Sequence, residues 1–216
     1  MEFIRKYFPG LDRDQYRDFE ALEGLYGTWN SRINVISRKD IAHLYLRHVL
    51  HSLSIGVTGL LDRADTILDA GTGGGFPGIP LAILYRHKSF TLLDSVQKKI
   101  TVTEAIAKEL GLQNVRTVRS RVEEHTDRYD AVVCRAVARI PRLAGWTAKN
   151  LSEDATGILF LKGGKLDSEL AGLETSVRIY RLEDYFSEEY FGEKKIVFLP
   201  AGNIMPRSGR GMSGQI

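Results

Sequence analysis

A short apolar run, Thr66-Ile67-Leu68, leads into Asp69-Ala70-Gly71-Thr72-Gly73-Gly74-Gly75-Phe76-Pro77-Gly78, and the apolar stretch Ile79-Pro80-Leu81-Ala82-Ile83-Leu84 follows. That order reads as a strand, a glycine-rich turn and the start of a helix. Gly71, Gly73 and Gly75 can take positive φ and leave bare backbone for a ligand to lie against. The amides of such a turn, and of the helix N-terminus behind it, point at that ligand. A βα turn with no ligand has no use for so many entropically costly glycines. The segment therefore limits the chain to an α/β fold that holds a nucleotide-type cofactor at the end of a strand.

Two cofactors compete for these glycines. Gly73-x-Gly75-x-x-Gly78 matches the dinucleotide fingerprint. Asp69-x-Gly71-x-Gly73-x-Gly75 matches the pattern of S-adenosylmethionine-dependent methyltransferases of the Rossmann-like class. Charge separates the two. A carboxylate at the strand end repels a pyrophosphate but attracts the methionyl ammonium of S-adenosylmethionine, so Asp69 favours the methyltransferase. The next apolar run, Ser89-Phe-Thr-Leu-Leu-Asp94, ends in a second acid about 25 residues further on, near the spacing at which an acid meets ribose hydroxyls. Asp94 can accept both hydroxyl hydrogens, and it can also cap the helix that begins after Ser95.

The first 60 or so residues read as helical. Tyr16, Phe19, Leu22, Tyr26, Trp29 and Ile33 recur at three- and four-residue steps, which predicts an amphipathic helix from a cap at Asp12 to about Asn30-Ser31. A second helix is expected from about Asp40 to Leu53, with Ile41, Leu44, Tyr45, His48 and Leu53 inward. From Thr66 onward, strands and helices alternate. Strands are expected at 66–70, 89–94, 114–118, 130–134, 157–162, about 177–182 and about 195–199. Helical stretches are expected at 78–86, 96–111, briefly at 120–125, and at 138–150 and 164–175. This rhythm predicts a doubly wound, mostly parallel seven-stranded sheet of the Rossmann-like class I methyltransferase type, with the last two strands as an antiparallel edge. The expected division is an N-terminal helical extension at 1–60, an S-adenosylmethionine-binding domain at 61–202 and a glycine-rich basic tail at 203–216.

The chain has 216 residues, 43% of them hydrophobic, enough for one α/β core with an added segment. A net charge of +3 permits a nucleic-acid partner without demanding one. The single cysteine, Cys134, excludes internal disulfides and offers no metal cluster. His48 and His51 lie one helical turn apart, yet two ligands without a third do not make a metal site. With no leader pattern and no apolar run of membrane-spanning length, a soluble, cytoplasmic monomer is expected. Ligands of such sheets gather at the carboxyl ends of the strands. The first two strands end in acids. The next three are followed by Arg119 and Arg121, by Arg135, Arg139 and Arg142, and by Lys162 and Lys165. The split suggests a cationic cofactor on one side and polyanionic RNA on the other, with Arg121, Arg139, Arg142, Lys162 and Lys165 as RNA contacts.

These residues together resemble the bacterial RsmG family, also called glucose-inhibited division protein B. The resemblance runs from about Trp29 to Gly164. It is carried by Trp29-Asn30 through Asn34-Val-Ile, by Arg47-His48, and by the Asp69–Pro80 segment with its specific Gly-Phe-Pro-Gly-Ile-Pro extension. Leu92-Leu-Asp-Ser95 with Lys98-Lys99, Ser120-Arg121-Val-Glu-Glu124, Cys134-Arg135-Ala136 and Leu161-Lys162-Gly163 continue it. It implies an N7-guanosine methyltransferase of small-subunit ribosomal RNA, acting on the RNA or the ribosomal particle. It also implies that Gly71 and Phe76 contact the cofactor, that Val122 and Glu123 flank its adenine, and that Arg135 lies at the site. The family usually reads His-x-x-Asp-Ser-Leu where this chain has His48-Val-Leu-His51-Ser52-Leu53, so the acid is replaced by His51.

The residue chemistry agrees. Guanine N7 has a lone pair and no proton, so no general base is obligatory; the protein must align the reactants and exclude water. No Asn-Pro-Pro-Tyr-like motif of exocyclic-amine methyltransferases follows the fourth strand. Arg135 and Arg139 stand there instead, suited to the O6 edge of guanine or to phosphate. Phe76, inside the glycine turn, is placed to cover the cofactor, and Trp29 belongs to the first helix's core. Two alternatives remain: a cofactor-sensing RNA-binding module without chemistry, and an RNA cytosine C5-methyltransferase in which Cys134 attacks the ring. Against the second, Cys134 ends an apolar run and reads as a small buried strand residue.

Overall fold

The computed structural model describes residues 1–204 apart from 38, 172, 174 and 175. Its centre is a seven-stranded sheet built from β1 (Thr66–Ala70), β2 (Ser89–Asp94), β3 (Val115–Arg119), β4 (Ala131–Arg135), β5 (Gly157–Gly163), β6 (Arg178–Arg181) and β7 (Lys194–Pro200). The spatial order is β3-β2-β1-β4-β5-β7-β6. The first five strands are parallel, and β7 runs antiparallel to both β5 and β6. The chain thus winds outward in one direction over β1, β2 and β3, and in the other over β4 and β5. The crevice between β1 and β4 is where such sheets bind ligands.

Alternation along each strand sends side chains to two cores. Leu68, Ala70, Val132 and Cys134 face one; Ile67, Leu92, Ala131 and Val133 face the other. The second core is covered by α4 (Gly78–Leu84), α5 (Gln97–Glu109) and the N-terminal helices α1 (Glu2–Tyr7) and α2 (Arg13–Arg32). The start of α2 follows the expected chemistry. Asp12 accepts from the Gln15 amide at 2.7 Å, while the Gln15 side chain accepts from the Asp12 amide at 3.0 Å. This reciprocal cap satisfies two otherwise orphaned donors. Gln15 Nε2 also donates to the carbonyls of Ile83 and Leu84, both at 2.9 Å, and so ties the extension to the end of α4. Phe19, Leu22 and Tyr26 are fully buried along the predicted face of α2.

The helix expected over 40–53 differs. A 3₁₀ turn at Ile41–His43 leads into a π-helical segment, Leu44–Leu50, and then a short α3, His51–Leu53. An i→i+5 turn shifts the buried positions. Leu44 and Val49, five residues apart, are both buried, with Leu50 and Leu53. Residues 120–125 form turns rather than a helix. The stretch 138–150 contains α6 (Ile140–Thr147), and the described part of 164–175 contains only α7 (Asp167–Leu170). The tail beyond 204 lies outside the described residues. Among the described residues, no helix is long and apolar enough to cross a membrane.

Candidate active site

A pocket of about 300 Å³ opens at the carboxyl ends of β1, β2 and β3. Gly71 lies at its floor, Asp94, Ser95 and Val96 on one side, and Arg121, Val122 and Glu123 on another. Ala136, Val137 and Trp146 close it from the β4 side. Gly71 has φ of 76°, and a Cβ there would stand 2.5 Å from Val137 Cγ2, so conformation and contact both require glycine. The amides of Gly71 and Thr72 both donate to the Leu93 carbonyl at 2.8 Å, which holds the turn against β2.

Two acids shape this turn. Asp94, nearly buried, accepts from the Val96 amide at 2.9 Å and from the Gly73 amide at 3.1 Å, with Lys99 at 3.4 Å. It therefore braces the loop into α5, whose N-cap residue is Val96, and also lines the pocket. Asp69 is fully buried. Its Oδ2 accepts from Thr72 Oγ1 at 2.6 Å and from the Gly78 amide at 2.8 Å. Its Oδ1 is buried with no partner among the described residues. Burial raises the Asp69 carboxyl to about 7, against the opposing pull of these two hydrogen bonds. Asp69 thus lies buried beneath the turn, its carboxyl divided between neutral and ionised forms near neutral pH.

Phe76 points away from the pocket. Its ring stacks on Tyr26 with centroids 4.8 Å apart, and Arg135 lies over it at 5.0 Å. Tyr26 Oη donates to the Gly74 carbonyl at 2.6 Å, and a Cβ on Gly75 would come within 3.0 Å of the same oxygen. Gly75 and Phe76 therefore join the glycine turn to α2, and neither is in the lining of this pocket. A Cβ on Gly73 would meet nothing within 4 Å, although its φ of 61° favours glycine.

The β4 side holds a second, cationic cluster. Arg135 is half-buried at the end of β4, where it donates to the Arg47 carbonyl at 3.4 Å and pairs with His48 Nδ1 at 3.0 Å. Tyr190 Oη lies 3.3 Å both from the Arg47 carbonyl and from Nδ1 of His51, the residue in the family's acid position. Burial and the nearby Arg135 charge bring the His48 ring down to about 4 and push that of His51 well below its usual value. Both rings are neutral at physiological pH.

The basic residues divide differently from the expectation. Arg121 lines the same pocket as Asp94, because β3 pairs with β2 and its loop falls on the β1–β3 half of the sheet. Lys162 is not a free cation. Its ammonium bonds Glu169 at 2.8 Å and the Ala138 carbonyl at 3.0 Å, an internal brace from β5 to α7. Arg139 is exposed but donates to the Ser168 carbonyl. Arg142 is exposed over Trp146 at 4.7 Å, and Lys165 is exposed. Cys134 is buried, its thiol 3.6 Å from the Leu159 carbonyl and raised far from ionisation by burial. That environment disarms a nucleophile. Trp146, Val96 and Val137 carry no sequence signal for the pocket; Trp146 reads only as one more apolar residue of a helix. Among the described residues, no group of three or more His, Cys, Asp or Glu could hold a metal.

The chain matches a family model described as rRNA small subunit methyltransferase G over residues 15–197. It is 49% identical to the ribosomal RNA small subunit methyltransferase G of Christiangramia forsetii, covering 93% of this chain and 97% of that one. It is 48% identical to the protein of the same name from Cytophaga hutchinsonii, covering 93% and 100%. The fold is similar to magnesium protoporphyrin IX methyltransferase from Synechocystis, a structure solved with bound S-adenosylmethionine (TM-score 0.54, 15% identity, 88% of this chain and 98% of that one). It is also similar to a precorrin-6y C5,15-methyltransferase from Geobacter metallireducens (TM-score 0.51, 14% identity, 78% and 91%).

Proposed function

The chain belongs to the rRNA small subunit methyltransferase G family, and from that footing we propose that it methylates N7 of a guanosine in small-subunit ribosomal RNA, with S-adenosylmethionine as methyl donor. The observation that carries the reading is the pocket at β1–β3, with Asp94 on its wall and the buried Asp69 beneath its glycine floor. The residues present fit that cofactor. Asp94 would accept the ribose hydroxyls, Val96 and Val122 would flank the adenine with Glu123 at its edge, and Gly71 would let the methionyl part lie on bare backbone. The unpartnered Asp69 Oδ1 would favour the ammonium above it. Bound there, S-adenosylmethionine supplies a methyl group on a positively charged sulfur.

The rest is positioning. Guanine N7 offers a lone pair and loses no proton on methylation, so the chain needs no general base. The Arg135 cluster stands on the β4 side of the crevice, where the base must enter, and Arg139, Arg142 and Lys165 are the cations left for the RNA backbone. A ribosomal substrate puts this work in the cytoplasm. The cysteine route is not supported, because Cys134 is buried and un-ionised. Transfer of labelled methyl to small-subunit ribosomal RNA or its particle, with the product identified as 7-methylguanine by mass analysis, tests the reading. Cofactor and RNA binding without transfer on any assembly state would instead indicate a non-catalytic module.

A further inference from the structure

A buried hydrogen-bond donor on the β4 side of the site has nothing to bond among the described residues. His48 lies in the π-helical segment Leu44–Leu50, a rare geometry that gathers at functional sites. Arg135 Nη2 is 3.0 Å from His48 Nδ1. A guanidinium only donates, so Nδ1 accepts and the ring proton sits on Nε2. That Nε2–H is buried without a partner among the described residues. Buried polar groups are nearly always paired, and an exception calls for a reason. The ring also leans on Phe76, centroids 5.2 Å apart, one side chain away from the glycine turn.

We propose that His48 orients the target base, its Nε2–H donating to O6 of guanine. The proposal rests on the N7 reading above. An N7 that attacks a methyl group cannot accept a hydrogen bond, which leaves O6 as the acceptor on that edge of the base. A donor on O6 aims the neighbouring N7 lone pair. Methyl transfer also moves positive charge from sulfur to the base. A neutral imidazole bonds O6 with no charge of its own and keeps the Arg135 guanidinium on the far nitrogen of the ring. Adenine carries an amino donor where guanine has O6, so the same N–H opposes it. Arg135 is the positioning residue, because its donation fixes the ring's tautomer. Nε2 has essentially no exposed surface in the free protein, so the bond requires the side chains that cover it to move aside as the base docks.

The test is a cycle between protein and substrate. The full chain is assayed on reassembled small-subunit particles that carry, at the mapped position, either guanosine or 2-aminopurine riboside, which keeps N7 and lacks O6. On guanosine, His48→Leu should lose about tenfold or more in kcat/KM, and His48→Gln, which keeps an amide donor, should recover part of it. The wild-type protein should lose a similar factor on 2-aminopurine, where His48→Leu costs nothing further. Equal losses on both substrates would make the ring merely structural and overturn the proposal. A wild-type protein indifferent to the missing O6 would overturn it even if the leucine variant failed to fold. A wild-type product other than 7-methylguanine, seen before any variant is made, would fail the N7 reading itself.

Discussion

Affinity for S-adenosylhomocysteine should weaken as the pH falls through neutrality, with Asp69 as the cause. Burial lifts the Asp69 carboxyl to about 7 in the free protein. An ammonium bound above the glycine turn favours the ionised carboxylate, so the bound form has the lower pKa. The free protein therefore takes up a proton on acidification, and binding must expel it. If Asp69 stays ionised throughout in the complex, the Kd grows in inverse proportion to the ionised fraction of the free protein. Between pH 7.5 and 5.5 that amounts to about 25-fold, or about 1.9 kcal/mol at roughly 1.4 kcal/mol per unit. His48, brought down to about 4, stays neutral over this window and adds no proton of its own. The ligand's α-ammonium remains charged over the same range. Calorimetry in two buffers of different ionisation heat reads both quantities, and about 0.9 proton should leave per ligand bound at pH 6. Asp69→Asn should flatten the profile. A Kd constant from pH 5.5 to 7.5 with no proton released would remove Asp69 as the counter-charge to the cofactor.

Asp94→Ala should weaken S-adenosylhomocysteine binding by about tenfold or more and lower the melting temperature, because the side chain both lines the pocket and accepts from the Gly73 and Val96 amides; unchanged affinity would contradict its ribose role. Arg142→Ala and Lys165→Ala should each reduce the salt slope of RNA binding by about one unit and leave cofactor affinity unchanged. Lys162→Ala should instead destabilise the fold, read by denaturant titration, since its partner Glu169 is left half-buried with the Ile140 amide but without its bonded cation. Cys134→Ala should retain most transfer activity in a labelled-methyl assay, and complete loss in a folded protein would revive the cysteine mechanism. Tyr26→Phe keeps the stack on Phe76 but strands the Gly74 carbonyl; about 1–3 kcal/mol should be lost in urea unfolding.

Much of this protein is written locally. The glycines at 71, 73 and 75 are read directly from composition, because positive φ is a property of single residues, and all three adopt it. The strand ends at Asp69 and Asp94 follow from short apolar runs. The start of α2 follows from Asp12 and Gln15, three residues apart, which need only each other to form the cap. These features depend on neighbours within a turn or a pleat.

Other features depend on partners far along the chain. Arg121 reads as an RNA contact when strand ends are taken in chain order, and becomes a pocket residue once β3 sits beside β2. Phe76 reads as a cover for the cofactor, and its stack on Tyr26, fifty residues earlier in the chain, is not visible from the turn alone. Lys162 reads as a free cation until the chain places Glu169 across from it. His48 reads as one inward residue of a helix, until the π turn brings it to Arg135, which no periodicity of 3.6 anticipates. In each case the side chain's role is set by the group that satisfies or opposes its charge or fills its contact surface. That group arrives through strand pairing and helix packing, which no short window of sequence contains.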